Sequence, residues 1–296
     1  MSLDISDILN DNRSGSFTIT TNSLKRYLDY IKEEMATDTS LDVIFENIQD
    51  AAKDLVKSQP NMALIRRTNY AFVAYFKRFL KSDKSRKEIL KMMLDKLQST
   101  QKEMDDNLKT IAESGSRLIT NFNKVLTYSS STIVRHILDN AEKFKRKYEL
   151  FCLKSDPPNE GIELAETMNK KGVKVTIVAD SQAGSIMDNM NIVLLGADRL
   201  YEDGFVNKSG TLAVCLLAKH FNVPVYLAVE TIKILKESER SIKPVERDPA
   251  EVYKGNKNID VYNSYYEKIP LRLVDKVICE EGVFETTDFL SWYLGD

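Results

Sequence analysis

Residues 191–233 read NIVLLGADRLYEDGFVNKSGTLAVCLLAKHFNVPVYLAVETIK, and they restrict the fold more than any other part of the chain. NIVLLGAD is a short apolar run ending on Asp198. A Gly/Asp-bearing loop follows, then TLAVCLLAKHFN with the length and composition of a helix, then a β-branched run from Pro224 to Glu230. Two buried-type strands flanking one helix make a βαβ unit, which requires a parallel sheet. The helical period places Leu212, Leu216, Leu217 and Phe221 on one helical face. Ligands of open parallel sheets meet the carboxyl ends of the strands. Asp198, Asn207, Lys208, Gly210, Thr211 and Lys233 are therefore expected to gather at one edge.

The segments upstream extend the same plan. KVLTYS reads as a strand running into the helix SSTIVRHILDNAEKFKRK, with Ser130 or Ser131 as its N-cap. YELFCLK is the next strand, SDPPNEG a loop, GIELAETMNKKG a helix stopped by Gly172, and VKVTIVAD a third strand ending on Asp180. Alternating strands and helices of this length are the doubly wound α/β pattern. Residues 234–263 are charged and hold Pro244 and Pro249, which reads as a surface excursion. RLVDKVICEEG supplies one more strand and TTDFLSWYLGD a closing helix.

Residues 23–121 have a different period. Leu24, Tyr27, Leu28 and Ile31 share one helical face, and Leu41, Ile44, Phe45, Ile48, Ala52, Leu55 and Val56 share another. A helix over 63–81 is expected to bury Tyr70, Val73, Ala74 and Phe76, and a longer one over 86–119 to bury Ile89, Leu90, Met93, Leu97, Met104, Leu108 and Ile111. Pro60 marks the break between two of these helices. Residues 1–22 are polar and read as a loose arm or a short irregular lead-in. The expected organisation is a helical domain over 1–122 and a Rossmann-like parallel-sheet domain over 123–296.

Charge excludes some functions. With 42 basic and 44 acidic residues the chain has no footprint for direct nucleic-acid binding or an anionic membrane, and no apolar run is long enough to span a bilayer. Basic clusters such as 143–147 read as solvated helix ends. Cys152, Cys215 and Cys279 have no disulfide or zinc spacing and sit in apolar patterns, so they read as buried small hydrophobes. His136 and His220 are not at metal-ligand spacing. No cofactor or metal is expected, and the compartment expected is the cytoplasm.

The candidate site comprises the strand ends. Ser129, Ser130 and Ser131 feed a helix N-terminus, where free N–H groups favour an anion, although Ser130 and Ser131 read equally as caps. Asp180 and Asp198 fit general acid/base or ligand-orienting carboxylates, and each also fits a turn residue. In FVNKSGT, Lys208 offers a charge for phosphate and Gly210 a close backbone approach. There is no Walker loop and no G-x-G-x-x-G.

These residues carry a resemblance. GADRLYEDGFVNKSGTLAVCLLAKHFNVPVYLAVETIK, VLTYSSSTIV, LKSDPPNEGIELAETMNKKGVKVTIVADSQAG and RLVDKVICEEGVF resemble the signature stretches of the translation initiation factor 2B alpha/beta/delta subunit family. PNMALIRRTNYAFVAYFKRFL is similar to the amino-terminal region of the alpha subunit. The resemblance covers nearly the whole chain and implies two branches. One branch is the methylthioribose-1-phosphate and ribose-1,5-bisphosphate isomerases, which use a Cys in a Thr-His-Cys turn and an Asp. Asp198 matches that Asp, but the Cys position falls on Ser129 and a phosphate-binding Arg position falls on Asp156. A hydroxyl is a poorer acid and nucleophile than a thiol, and the acid at 156 reverses the charge where an anion would sit. The isomerases' Arg-Gly-Ala-Gly stretch also has no counterpart. The other branch is the regulatory subunits of the exchange factor for initiation factor 2. It implies a non-catalytic homodimer that contacts the alpha subunit of initiation factor 2, with AMP or a sugar phosphate as a candidate crevice ligand.

Overall fold

The computed structural model describes residues 3–11, 13–235, 247–256 and 258–295. The chain divides into two compact units, 1–106 and 107–296. The first is helical: α1 (Ser6–Leu9), α2 (Ser16–Glu34), α3 (Leu41–Ser58), α4 (Ala63–Lys77) and the start of α5 (Arg86–Ser116). Ser40 caps α3 by accepting from the Val43 N–H, and the chain breaks around Pro60 before α4 begins. Tyr27, Phe72 and Phe76 are among the largest fully buried side chains, and the Tyr27 hydroxyl donates to Asn69 at 2.8 Å.

Two expectations for this unit are corrected. The described residues among 3–22 are not a loose arm. The Asp11 carboxylate accepts from the Arg13 and Ser14 N–H groups, and Ile5, Ile8 and Ile19 are buried, which ties the segment to the unit as α1 and the first turn of α2. Tyr70 and Ala74 do not face the core. The buried stripe of α4 runs Leu64, Ile65, Thr68, Asn69, Phe72, Val73 and Phe76, and Tyr70 is exposed.

The second unit holds β1 (Lys124–Tyr128), α6 (Thr132–Lys143), β2 (Glu149–Leu153), α7 (Glu160–Lys170) and β3 (Lys174–Val178). After short turns come β4 (Ile192–Gly196), β5 (Arg199–Leu200), β6 (Gly204–Lys208), α9 (Thr211–His220) and β7 (Val225–Ala228), with α8 (Ala183–Ile186) preceding β4. β8 (Tyr266–Pro270), β9 (Lys276–Cys279), β10 (Gly282–Glu285) and α10 (Thr286–Leu294) complete it. The main sheet has seven strands in the order β10-β9-β7-β4-β1-β2-β3, parallel except for β10. The order reverses direction between β1 and β4. This is the topological switch point of a doubly wound sheet, where two loops part to leave a crevice. The expected α/β fold with a helical amino-terminal part is what the chain adopts.

The loop after β4 is not irregular. β5 and β6 form a hairpin that β8 joins, giving a three-stranded antiparallel sheet. β8 falls within a stretch where the sequence suggested no strand, and β10 turns back on β9 where one strand was expected. Of the expected excursion over 234–263, residues 236–246 and 257 lie outside the described residues, while Asn263 is buried and bonded to the Asp248 carbonyl and the Glu251 carboxylate. The buried face of α9 is Thr211, Val214, Cys215 and Ala218, whereas Leu216 is 51% exposed. A helix apolar nearly all round has no single favoured face, so the sheet selects it.

Candidate functional site

The crevice is built from the carboxyl ends of β1, β2, β4 and β7 together with β6. Gly196 at the end of β4 lets Ser131 pack directly against the strand, since a Cβ there would lie 2.4 Å from Ser131 Oγ. β1 ends at Tyr128, and Ser129 follows in the left-handed region at φ +67 with its side chain buried. Ser131, rather than Ser130, is the N-cap of α6 and accepts from the Val134 N–H.

One carboxylate links the two sides of the crevice. Ser129 Oγ donates to Glu160 Oε2 at 2.5 Å, and Lys208 Nζ donates to Glu160 Oε1 at 3.0 Å. The Lys208 side chain is 6% exposed and that of Glu160 15%. The Lys208 ammonium also lies 3.5 Å from the centroid of the Tyr265 ring. Burial pushes the Lys208 ammonium below the ordinary lysine range, and the charges of Glu160 and Asp198 work against that shift. The Asp198 N–H donates to the Val206 carbonyl, two residues before Lys208 on β6.

The remaining predicted residues have structural partners. Asp180 accepts from the Ser155 and Asp156 N–H groups, both at 2.8 Å, through its two oxygens. Asp156 itself is paired with Lys154 at 3.6 Å. Asn207 Nδ2 donates to Thr211 Oγ1 at 3.0 Å, and the Thr211 hydroxyl donates to the Lys208 carbonyl at 2.5 Å. Gly210 stands at φ +104, and a Cβ there would lie 2.2 Å from the Tyr128 hydroxyl. That hydroxyl donates to the Ser209 carbonyl at 2.5 Å. Lys233 is buried, pairs with Glu230 at 2.8 Å and donates to the Ala197 carbonyl at 3.0 Å, which fixes the backbone next to Asp198.

Two crevice residues are absent from the sequence prediction. Glu160 reads as an ordinary acid in the first turn of α7, and its partners Ser129 and Lys208 are 31 and 48 positions away. Glu267 on β8 accepts from the Gly210 and Leu212 N–H groups, both at 2.8 Å, and so fills the α9 N-terminus with a carboxylate from another strand. Its signal was hidden because β8 itself was not foreseen. All three cysteines are buried and unpaired, and burial pushes Cys152 and Cys215 up to about 12 and Cys279 up to about 11.

A Rossmann-like sheet with a charged crevice at its switch point defines a broad class of ligand-binding and catalytic α/β proteins. The sequence profile of the initiation factor 2 subunit family matches residues 12–286, and the chain belongs to that family. A Pyrococcus horikoshii protein described as translation initiation factor eIF-2B subunit 2-like is 27% identical over 253 residues, which are 84% of this chain and 85% of its own length. The ribose 1,5-bisphosphate isomerase of Methanocaldococcus jannaschii is 29% identical over 196 residues, 63% of this chain and 62% of its own length. The crystal structure of the Pyrococcus horikoshii OT3 translation initiation factor eIF-2B matches with a TM-score of 0.78 and 22% identity over 96% of both chains, a likeness of fold. Translation factors and sugar-phosphate isomerases thus both stand among the relatives.

Proposed function

We propose that this chain is a non-catalytic, initiation factor 2B alpha-like regulatory subunit that acts by binding. One observation carries the reading: the Glu160 carboxylate lies between the Ser129 hydroxyl and the Lys208 ammonium. An isomerase must hold an anionic sugar phosphate and move a proton on its carbon skeleton. Here the buried cation is already neutralised, and a hydroxyl committed to a carboxylate stands at the turn. AMP or a sugar phosphate entering this crevice would have to displace Glu160 from Lys208. The partner in this reading is the alpha subunit of initiation factor 2, and the assembly is a cytoplasmic homodimer. Residues 1–122 act as its helical domain and 123–296 as its Rossmann-like domain.

The placement of Asp198 beside β6, the strand that carries Lys208, supports a second reading, an aldose–ketose isomerase of the ribose-1,5-bisphosphate type with Asp198 as its acid/base group. Incubation of the full chain with ribose 1,5-bisphosphate and with methylthioribose 1-phosphate separates the two. No interconversion is expected, and turnover abolished by Asp198→Asn would establish the isomerase instead. In a pull-down, the alpha subunit of initiation factor 2 is expected to be retained. Failure to retain it would remove the regulatory role.

A further inference from the structure

A second pocket lies at the opposite edge of the parallel sheet, where β2 and β3 begin. It has a volume of about 440 Å³, and its walls include Phe122, Lys145, Arg146, Lys147 and Lys174. Carboxylates are present too: Glu149 pairs with Lys174 at 2.7 Å, and Glu142 also lines the pocket. Four cations against two acids leave the lining net positive in a chain whose net charge is −2. Lys145 and Lys147 form no ion pair among the described residues. Arg146 is anchored by donating to the Ile119 carbonyl at 2.7 Å.

Phe122 is the unusual member. Its ring is 80% exposed, and its backbone is in the left-handed region at φ +68, where a bulky residue is an outlier. Lys145, which also lines the pocket, is left-handed too, at φ +55. Residues around Phe122 are clamped to the opposing segment. The Phe122 N–H donates to the Lys147 carbonyl, the Lys147 N–H to Asn121 Oδ1, and the Glu149 N–H to the Asn123 carbonyl. The ring is thus presented on fixed backbone and stacks on no other aromatic side chain among the described residues. A solvent-facing ring on fixed backbone beside unpaired ammonium groups is suited to a ligand that is flat at one end and anionic at the other.

We propose that this pocket binds a nucleotide, with the base stacked on Phe122 and the phosphate held by Lys145 and Lys147. The volume falls in the range of small-ligand sites. A single nucleotide needs no extended basic face, so the balanced charge of the chain is no obstacle. The nucleotide is either free or part of a single strand, and the test distinguishes them.

The full chain is titrated calorimetrically with AMP and with a short single-stranded RNA. Saturable binding of at least one is expected. Phe122→Ala and the double change Lys145→Ala/Lys147→Ala are each expected to weaken it about tenfold or more, and the lysine variant should also flatten its salt dependence. Asp198→Asn, in the crevice, should leave this binding unchanged, which separates the pocket from the site discussed above. All three substituted pocket residues are solvent-exposed, and thermal midpoints close to the parent's would verify folding. AMP binding without RNA binding indicates a free nucleotide, and the reverse indicates a strand. Absence of binding by both overturns the proposal. So does affinity unchanged by Phe122→Ala, or a crevice variant that abolishes the signal. An acidic peptide that binds where nucleotides do not would also overturn it.

Discussion

At the scale of single residues, Glu160 decides the character of the crevice. It satisfies a buried ammonium and a buried hydroxyl at once, so its removal strands both. Glu160→Ala is expected to destabilise the fold by about 3 kcal/mol, in line with removing one partner from a buried ion pair. Chemical denaturation measures this, and a change below about 1 kcal/mol would show that Lys208 is held by other groups. Glu160→Gln keeps the shape and removes the charge. Ribose 5-phosphate should bind this variant at least about tenfold more tightly than the parent, because Lys208 is then free to pair with phosphate. Equal affinities by calorimetry would refute the idea that Glu160 stands in for an anion. Gly210 is constrained in a different way. At φ +104, with the Tyr128 ring in the way, Gly210→Ala should cost about 2 kcal/mol or more, read as a lowered thermal midpoint. Asp198, Asn207, Lys208, Gly210 and Thr211 were legible because they crowd into one short motif. Glu160 was not, because nothing local distinguishes it from any acid that favours a helix start.

At the scale of elements, the least legible part is the small sheet of β5, β6 and β8. A two-residue β5 has no period to detect, and β8 lies far along the chain from its partner β6. Its pairing nevertheless brings Glu267 to the α9 N-terminus. Glu267→Ala should leave the Gly210 and Leu212 N–H groups unsatisfied and cost about 1–2 kcal/mol, the scale of a lost helix cap. Protection of those amides in hydrogen exchange should fall with it. Unchanged protection would mean that the cap is replaceable by water. The parallel strands and their helices were legible because each is short, strongly apolar and punctuated by Ser131, Gly172 or Pro224. The buried face of α9 was not, since its apolar residues surround the axis and only the sheet distinguishes Cys215 from Leu216.

At the scale of the whole molecule, titration of the buried groups sets the response to alkali. Burial pushes the Cys152 and Cys215 thiols up to about 12 and Cys279 up to about 11, from an ordinary value of 9.0. As pH rises through this window, the unfolded chain releases these protons first and the folded chain retains them. The folded state then binds more protons, so stability falls with increasing pH. Tyr27, Tyr128 and Tyr148, all pushed upward by burial, act in the same sense. Lys208, pushed downward, opposes them. The thermal midpoint should therefore be lower near about pH 10 than near about pH 8, and the thiols should resist a disulfide reagent until the protein is unfolded. A midpoint that rises over that interval would contradict the assignment. The sequence by itself determined the class of fold, the family motif and the identity of the groups at the strand ends, because hydrophobic period and turn chemistry act over a few residues. Tertiary structure alone decided which of those groups remain available to a ligand. Charge neutralisation is a matter of distance, and Glu160 and Glu267 come into place only when the strands are aligned.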